Sequence, residues 1–310
     1  MRRVLLAIGV CGLLASDALG GYGGRAGALY RFGLGARPLG FGGAVVSLAH
    51  DPATILVNPA GAAFSGKGSL VGSHTLMPLD RSINILGLAR QIDANAGVSF
   101  AWVNAGVDGV PGFDGDGNPT GTLENSENTF VLTFANRFGW VAGGASAKWY
   151  HYRLADRTTS GWTLDVGLMA TIPLTGVRVG LAMRDPVGAL IWNTEREQGQ
   201  FRTEDSFPRT ITAGASYEVA PIRTTVAADY ESVQHEGEYL HVGISWEAMD
   251  RLRLRAGYRW IGLADSAHDR TFTAGVTVTT SFGDSRVSFD YAVLSEPLGL
   301  VHSLGIRLGA

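Results

Sequence analysis

The chain has 310 residues, of which 45% are hydrophobic and only 17% are charged, and its formal net charge is -3. This mildly acidic balance argues against nucleic-acid binding, which needs a basic surface. After the first segment, no apolar run reaches the roughly 18 residues that a membrane-spanning helix requires. A nucleic-acid-binding protein and a helical membrane protein are therefore both disfavoured.

The N-terminus has the layout of a secretory signal peptide. Arg2 and Arg3 precede an apolar stretch at residues 4–15, and residues 18–20 form a small-x-small cleavage site. We predict a signal peptide at residues 1–20 and a mature chain that begins near Gly21. Cys11, the single cysteine of the sequence, lies within this signal. Lipidation there is disfavoured because Val10 stands where a small residue is needed.

Residues 21–66 are rich in Gly and Ala and differ from the rest of the chain. Asp51 followed by Pro52 predicts a helix N-cap with proline at the first helical position, and Asn58-Pro59 predicts the end of that single turn. A segment of this size is too small to fold alone. We therefore expect it to pack against the remainder of the chain.

From residue 68 onward, apolar and polar residues alternate in segments of about ten residues. Residues 252–260, for example, read Leu-Arg-Leu-Arg-Ala-Gly-Tyr-Arg-Trp. This period of two is typical of a β-strand with two different faces, and about ten residues tilted by about 45° cross a bilayer. We predict about fourteen strands, at Gly68–Leu76, Ser82–Arg90, Asn95–Asn104, Asn128–Phe138, Trp140–Arg153, Gly161–Ile172, Gly176–Asp185, Pro208–Val219, Ile222–Gln234, Glu238–Glu247, Arg251–Ile261, Arg270–Ser281, Asp284–Leu294 and Leu300–Gly309.

The connections between these segments are alternately short and long. Bacterial barrels have an even number of strands, with both termini and the short turns at the periplasmic end. The longest connections, 105–127 and 186–207, both fall at the opposite, outer end. A soluble β-sandwich also alternates, but we would expect strands of about five or six residues and no such asymmetry. We therefore predict an all-β transmembrane antiparallel β-barrel at 67–310, whose lumen receives residues 21–66 as a plug.

The polar face of the predicted strands carries charges of both signs. The lumen ion-pair candidates are Arg178, Arg184, Arg253, Arg255, Arg259, Arg286, Asp165, Asp229 and Asp290. They predict a network of ion pairs that fills the lumen and holds the plug, or alternatively a polar ligand path. His241 and Ser245 also share this face, but roughly 13 Å of strand separates them, which is too far for direct proton transfer. We therefore predict that the chain is not an enzyme.

The long outer connections contain two further candidate sites. Four apolar residues are available for an outer ligand pocket: Val110, Phe113, Ile191 and Trp192. Residues 114–118 read Asp-Gly-Asp-Gly-Asn, which is similar to part of a calcium-binding loop but lacks the glutamate at the twelfth position of an EF-hand. Such Asp-Gly pairs are common in turns. We predict no metal site, with Asp114, Asp116 and Asn118 as the calcium alternative.

The glycine-rich block of the plug segment resembles the N-terminal signature of the PorV/PorQ group of outer-membrane proteins, which is related to FadL-type fatty-acid channels. The residues that carry this resemblance are Gly35, Ala36, Arg37, Gly40, Gly42, Gly43, Asp51, Asn58, Pro59 and Gly61. Residues 161–168 and 252–259 are similar to recurring strand sequences of that group. The resemblance implies a fourteen-stranded barrel with an N-terminal hatch, and the strand count agrees with it.

The resemblance implies less about activity, since such proteins range from uptake of hydrophobic compounds to service in type IX protein secretion. We expect a channel for hydrophobic or amphipathic small molecules in the bacterial outer membrane, surrounded by lipid and without a cofactor. The alternative is an accessory of a type IX secretion system that binds exported proteins. A structural barrel without transport is the third hypothesis.

Overall fold

A computed structural model describes residues 26–27, 34–196, 199–261, 270–283 and 285–309. The predicted signal peptide at residues 1–20 and most of the start of the predicted plug segment lie outside the described residues.

Fourteen antiparallel strands form a closed barrel, and two more form a separate hairpin. The strands are β1 Ser69–Met77, β2 Arg81–Gln91, β3 Ala96–Phe113, β4 Pro119–Phe138, β5 Val141–Leu154, β6 Arg157–Thr171, β7 Val177–Arg184, β8 Ala189–Arg196, β9 Gly199–Ser206, β10 Thr210–Val219, β11 Thr224–Val233, β12 Gly237–Met249, β13 Leu252–Ile261, β14 Arg270–Phe282, β15 Ser285–Glu296 and β16 Gly299–Gly309. Strand β7 pairs directly with β10, so the β8–β9 hairpin lies outside the barrel sheet. Strand β1 pairs with β16 and closes the barrel. The predicted transmembrane antiparallel barrel of about fourteen strands is confirmed.

The two faces of the barrel wall differ as the alternation predicts. In β10, Thr210, Thr212 and Ser216 are buried inside the barrel, whereas Tyr217 is exposed on the outside. Large apolar side chains are exposed on the outer surface, among them Leu132, Phe134, Trp162, Leu164, Leu168, Phe272, Phe289 and Leu304. Because so large an apolar surface is unfavourable in water, it suits the hydrocarbon of a bilayer.

Short turns lie at the end of the barrel where β1 begins and β16 ends. One of these turns is the 3₁₀ helix Ala220–Ile222, which joins β10 to β11. Exposed aromatic side chains surround this end: Phe138, Trp140, Trp246 and Phe282. Short turns, both ends of the barrel chain and an aromatic girdle mark the periplasmic end of an outer-membrane barrel. We call the opposite end the outer end.

The two long outer connections contain strands that the alternation does not predict. The predicted connection 105–127 is mostly strand, because β3 and β4 continue as a paired hairpin to Phe113 and Pro119. The predicted connection 186–207 contains the β8–β9 hairpin. Beyond the bilayer one face of a strand need not be apolar, so backbone pairing continues where the alternation has ended.

Residues 34–66 pack inside the barrel, and we call this segment the plug. Its helices are α1 Ala36–Gly40, α2 Pro52–Ile55 and the 3₁₀ helix Pro59–Phe64. No helix of the described part of the chain is long and apolar enough to cross a membrane. Asp51 is the N-cap of α2 and Pro52 is its first residue, which confirms the helical turn predicted there.

The plug contacts every strand of the barrel wall. Its backbone comes closest at glycines of the wall. A Cβ on Gly97 would lie 1.8 Å from the carbonyl oxygen of Ala62, and a Cβ on Gly180 would lie 2.3 Å from that of Val46. Any side chain at these two positions would displace the plug, so glycine is needed for the close approach. The plug therefore spans the lumen from wall to wall.

Candidate functional site

The plug is tied to the barrel wall through the carboxylate of Asp51. The Oδ1 atom accepts hydrogen bonds of 3.1 Å from the N–H groups of Ala53 and Thr54. The Oδ2 atom accepts a hydrogen bond from Arg37 of α1 and lies 3.4 Å from Nη1 of Arg307 in β16. Asp51 thus joins both α-helices of the plug to a wall strand.

His50 completes this group as a neutral hydrogen-bond acceptor. Its Nδ1 lies 2.6 Å from the carbonyl oxygen of Leu48, which can only accept, so Nδ1 carries the proton. Nε2 is then free to accept a hydrogen bond from Nη2 of Arg37, at 2.9 Å. The charge of Arg37, together with burial, lowers the pKa of His50 to about 4.

Asp51 is ionised in this environment. Burial by itself would raise the pKa of Asp51, but the nearby charges of Arg37 and Arg307, together with the hydrogen bond from the N–H group of Thr54, hold that pKa well below its usual range. Burial also lowers the pKa of Arg37, against the opposing effect of Asp51. Each of these buried groups therefore depends on its partner for compensation of its charge.

Asn58 provides a second attachment of the plug. Its Oδ1 accepts a hydrogen bond from the N–H group of Ala60, which starts the 3₁₀ helix. Its Nδ2 donates to the carbonyl oxygens of Val46, at 2.8 Å, and of Leu168 in β6, at 3.0 Å. The fully buried Asn58 amide therefore connects two parts of the plug to the wall.

Wall side chains on the opposite side of the lumen bind the plug backbone. Asp229 in β11 accepts a hydrogen bond of 2.8 Å from the N–H group of Val46. His241 in β12 makes a hydrogen bond of 2.8 Å through Nδ1 with the carbonyl oxygen of Gly42. Asp229 and His241, which the sequence places on the lumen face, therefore both form hydrogen bonds with the plug.

The residues of the plug signature have separate structural roles. Gly35, Gly42 and Gly43 have φ angles of 91°, 68° and 85°, which residues with a Cβ rarely adopt. Gly40 lies against Gly275 of β14, and Gly61 lies against Ala49. Ala36 and Pro59 are the first residues of α1 and of the 3₁₀ helix. The signature thus specifies the path of the plug backbone.

The predicted lumen charges that are buried are held by specific contacts. Arg184 lies 2.6 Å from Glu231, and Arg255 lies 3.7 Å from Asp290. Arg259 lies over the ring of Tyr239, with 5.4 Å between the guanidinium carbon and the ring centroid. These groups extend the polar network along the lumen on the β7 to β15 side.

Three of the predicted lumen arginines lie near the periplasmic end and are exposed to solvent. Arg178 lies 3.4 Å from Glu218, and Arg253 lies 2.8 Å from Glu247. Arg286 is exposed near the start of β15. These residues therefore line the mouth of the barrel rather than its interior.

Lys148 is a central buried charge that is not among the predicted lumen residues. Its Nζ lies 2.9 Å from Asp165 and 2.7 Å from Asp185, and its side chain is fully buried. Its position in β5 indicates an inward side chain, because Lys148 lies two residues from Ser146 and two residues from Tyr150, which both face the lumen. Both faces of β5 carry small residues near Lys148, so the alternation alone left its direction ambiguous.

One sector of the lumen wall is apolar instead of charged. The buried wall residues of this sector come from β1 to β4, β15 and β16, and they are Met77, Ile83, Ile85, Ala101, Val103, Ala105, Val131, Ala292, Leu294 and Val301. Leu34, Leu39 and Leu56 of the plug pack against the same cluster. The apolar residues of β15 and β16 lie nearer the outer end, whereas Asp290 and Arg307 lie nearer the periplasmic end of the same two strands.

The four residues predicted for an outer ligand pocket lie on two different hairpins. Trp192 and Ile191 belong to β8, where the ring of Trp192 makes an edge-on contact with Tyr152, at 5.4 Å between centroids. The carbonyl oxygen of Ile191 accepts a hydrogen bond from Thr159 of β6. Val110 and Phe113 lie on the outer extension of β3, where Phe113 is exposed.

Asp114 organises the turn between β3 and β4. Its Oδ1 accepts hydrogen bonds from the N–H groups of Asp116 and Asn118, and its Oδ2 accepts one from Nδ2 of Asn118. The bonds from Asn118 hold the pKa of Asp114 below its usual range. Among the described residues, no group of three or more His, Cys, Asp or Glu side chains is placed to hold a metal ion.

Beneath the plug, a cavity of about 250 Å³ opens toward the periplasmic end. Phe41, Val45 and Leu48 of the plug form an apolar part of its lining. Most of the remaining lining consists of five arginines: Arg37 of the plug, Arg178 of β7, Arg223 just before β11, and Arg253 and Arg255 of β13. The other lining residues are His50, Thr54, Glu218, Thr225, Ser245 and Glu247. The cavity therefore combines an apolar roof with a cationic wall.

The fold and the plug define a plugged transmembrane β-barrel. Three solved structures are similar to it: the CymD monoaromatic hydrocarbon channel, with 14% identity and a TM-score of 0.61 over 89% of this chain and 96% of that chain; the Ralstonia pickettii toluene transporter TbuX, with 14% identity and 0.58 over 89% and 97%; and a Pseudomonas aeruginosa FadL homologue, with 9% identity and 0.57 over 88% and 96%. No family model and no curated protein matches the sequence. At these identities the likeness establishes the fold.

Proposed function

We propose that this chain is an outer-membrane channel for hydrophobic or amphipathic small molecules, in which the plug gates passage. The observation that carries the proposal is the apolar sector of the lumen wall. Met77, Leu294 and Val301 lie toward the outer end, and the sector continues down to Leu34 and Leu39 of the plug. A water-filled porin has a polar interior. The side chains of this sector are at most 6% exposed because they pack against one another and against the plug, so movement of the plug would open an apolar path along them.

The structural neighbours support this function. CymD is described as a monoaromatic hydrocarbon channel and TbuX as a toluene transporter. Monoaromatic hydrocarbons are therefore the first substrates to test. The apolar outer surface supports a location in the outer membrane, with lipid around the barrel, and the predicted signal peptide supplies the export that this location requires.

PorV/PorQ membership is the finer part of the proposal, and the plug signature alone supports it. The neighbours named above are channels or a FadL homologue, so they give no support to the secretion-accessory alternative. The ligand pocket at Val110, Phe113, Ile191 and Trp192 on the outer hairpins stays a prediction. None of the three neighbours is described as an enzyme, which agrees with the expectation that the chain is not one.

A reversible staple between plug and wall tests the gating. A Cβ added at Gly305 would lie 3.6 Å from that of Ala36, within the range of about 3.5–4.5 Å that a disulfide requires. The Ala36→Cys, Gly305→Cys double variant should form this bond on oxidation. The single natural cysteine, Cys11, lies in the predicted signal peptide, so no other thiol competes.

Toluene uptake should be measured in Gram-negative cells that lack their own hydrocarbon channels. We expect the parent chain to accelerate uptake, the oxidised double variant to lose this gain, and dithiothreitol to restore it. Each single-cysteine variant serves as the matched control. Parent uptake no faster than that of the empty host would contradict the channel, whereas undiminished uptake by the oxidised variant would contradict gating at β16.

A further inference from the structure

The cavity beneath the plug contains one arginine with unused binding capacity. Arg255 of β13 lines the cavity, and only 3% of its side chain is exposed. Its Nη1 donates a hydrogen bond of 2.6 Å to Thr277. Its Nη2 is buried and has no hydrogen-bond partner among the described residues. A buried guanidinium N–H without an acceptor is costly, so this atom is suited to an acceptor that enters the cavity.

The carboxylates near the cavity do not fully compensate its arginines. Asp51 is shared by Arg37 and Arg307. Glu247 is likewise shared by Arg253 and Arg223.

Asp290 lies 3.7 Å from Arg255, which is too far for a hydrogen bond between them. Arg223 also forms an ion pair with the exposed Asp250, and Arg178 forms one with Glu218. The positive charges of these two guanidiniums are therefore more fully compensated. The surplus positive charge is therefore greatest around Arg37, Arg253 and Arg255.

The shape and lining of the cavity restrict the ligand. Its volume of about 250 Å³ exceeds the about 150 Å³ that accommodates benzene in an apolar cavity. Phe41, Val45 and Leu48 provide an apolar surface opposite the arginines. Guanidinium groups bind carboxylates through paired N–H donors. A molecule with a carboxylate at one end and a small apolar body at the other matches both surfaces.

We propose that the cavity beneath the plug binds such an organic carboxylate. Nη2 of Arg255 and the half-exposed guanidinium of Arg253 donate to the carboxylate, while Phe41 and Leu48 contact the apolar body. The site lies on the periplasmic side of the plug. This proposal does not depend on the proposed channel function, because ligand binding at this site can be measured in the absence of transport.

The test is equilibrium dialysis of radiolabelled benzoate against the full barrel in phosphatidylcholine nanodiscs. We expect saturable binding of one equivalent by the parent chain. Arg255→Gln removes the unused donor, and loss of a charge-assisted hydrogen bond should weaken binding by about tenfold or more. Arg286→Gln is the matched control, since it removes the same charge at the same end of the barrel but does not line the cavity, and it should bind as the parent does.

Three results would overturn the proposal. They are no saturable benzoate binding by the folded parent, equal affinity of Arg255→Gln and the parent, and benzyl alcohol binding as tightly as benzoate. Folding of each variant is checked by its heat-modifiable mobility in gel electrophoresis. If Arg255→Gln does not fold, Arg253→Gln provides the test, because that side chain is 41% exposed and its replacement should weaken benzoate binding without unfolding the barrel.

Discussion

Replacing Asp51 with Asn should release the plug from the barrel wall. The asparagine side chain has nearly the same shape and keeps an oxygen that can accept from the N–H groups of Ala53 and Thr54. It removes the negative charge that compensates Arg37 and Arg307. The substitution therefore isolates the ion pair from the helix cap.

The structure allows the size of the effect to be estimated. The side chains of Asp51 and Arg37 are only 4% and 16% exposed, and removing one partner of a buried ion pair costs about 3–5 kcal/mol. At about 1.4 kcal/mol for each factor of ten, the lower figure corresponds to about a hundredfold shift toward the released plug. Asp51→Ala should cost about 0.5–2 kcal/mol more, because the cap of α2 is lost as well.

Hydrogen exchange measures this shift directly. The N–H group of Ile55 donates to the carbonyl oxygen of Asp51 inside the plug, so its protection reports release of α2 from the wall. Protection at Ile55 should fall by about a hundredfold or more in Asp51→Asn. Asp250→Asn is the control: Asp250 is 89% exposed in its pair with Arg223, and such surface pairs change protection by less than about fivefold.

Protection at Ile55 in Asp51→Asn equal to that in the parent would refute the reasoning. It would mean that the ion pair does not hold the plug and that the contacts of Asn58 and Asp229 suffice. Amides in the middle of β10 serve as an internal reference, because release of the plug should leave the barrel strands paired.

Three further predictions concern the fit, the pH dependence and the charges of the interior. Gly97→Ala should lower the hydrogen-exchange protection of the plug amides, because the new Cβ would lie 1.8 Å from a plug carbonyl oxygen and overpacking costs about 1–3 kcal/mol. The control is the lipid-facing Gly72→Ala, which should have no such effect because its new Cβ would have its nearest neighbour at 3.6 Å. The pKa of His50 is about 4 in the docked plug and about 6.5 when free, so the released state binds the extra proton between these values. Acidification from about pH 6.5 to 4 should thus weaken docking by up to about 1.4 kcal/mol per pH unit, and protection corrected for intrinsic exchange should show this in the parent but not in His50→Gln. Lys148→Met leaves the carboxylates of Asp165 and Asp185, which are 3% and 16% exposed, without their cation. It should cost about 3–5 kcal/mol and lower the thermal unfolding midpoint by several degrees. An equal midpoint in the exposed control Lys67→Met and in Lys148→Met would contradict this.

The strand positions could be predicted because the bilayer imposes a rule on each residue. In β13, for example, the predicted strand Arg251–Ile261 differs by one residue from Leu252–Ile261 in the structure. Lipid requires an apolar outward face and a closed network of backbone hydrogen bonds, and both requirements leave a period of two in the sequence. Outside the bilayer this rule ends, which is why the outer part of β3 and β4 and the β8–β9 hairpin were not predicted.

The partners of the interior charges could not be predicted from single strands. Arg255 and Asp290 belong to strands separated by β14, and Arg307 meets Asp51 of the plug across 256 positions of sequence. Alternation indicates which face a residue lies on, but it does not indicate the height of one strand relative to another. The inward direction of the arginines was therefore readable, whereas the unused donor of Arg255 was not.

The sequence by itself determined the class of protein and the number of barrel strands, and it predicted that the glycine-rich segment packs inside the barrel. Those properties follow from local patterns: the alternation of each strand, the Asp51-Pro52 cap and the glycine-rich block that cannot fold alone. Only the tertiary structure decided how the plug sits, with Gly97 and Gly180 of the wall touching its backbone and Asp51 bound to Arg307. The apolar sector likewise arises from barrel closure, because its residues on β1 to β4 meet those on β15 and β16 only when β1 pairs with β16. The cavity beneath the plug arises from docking of the plug, because its lining combines plug residues with residues of β7 to β13.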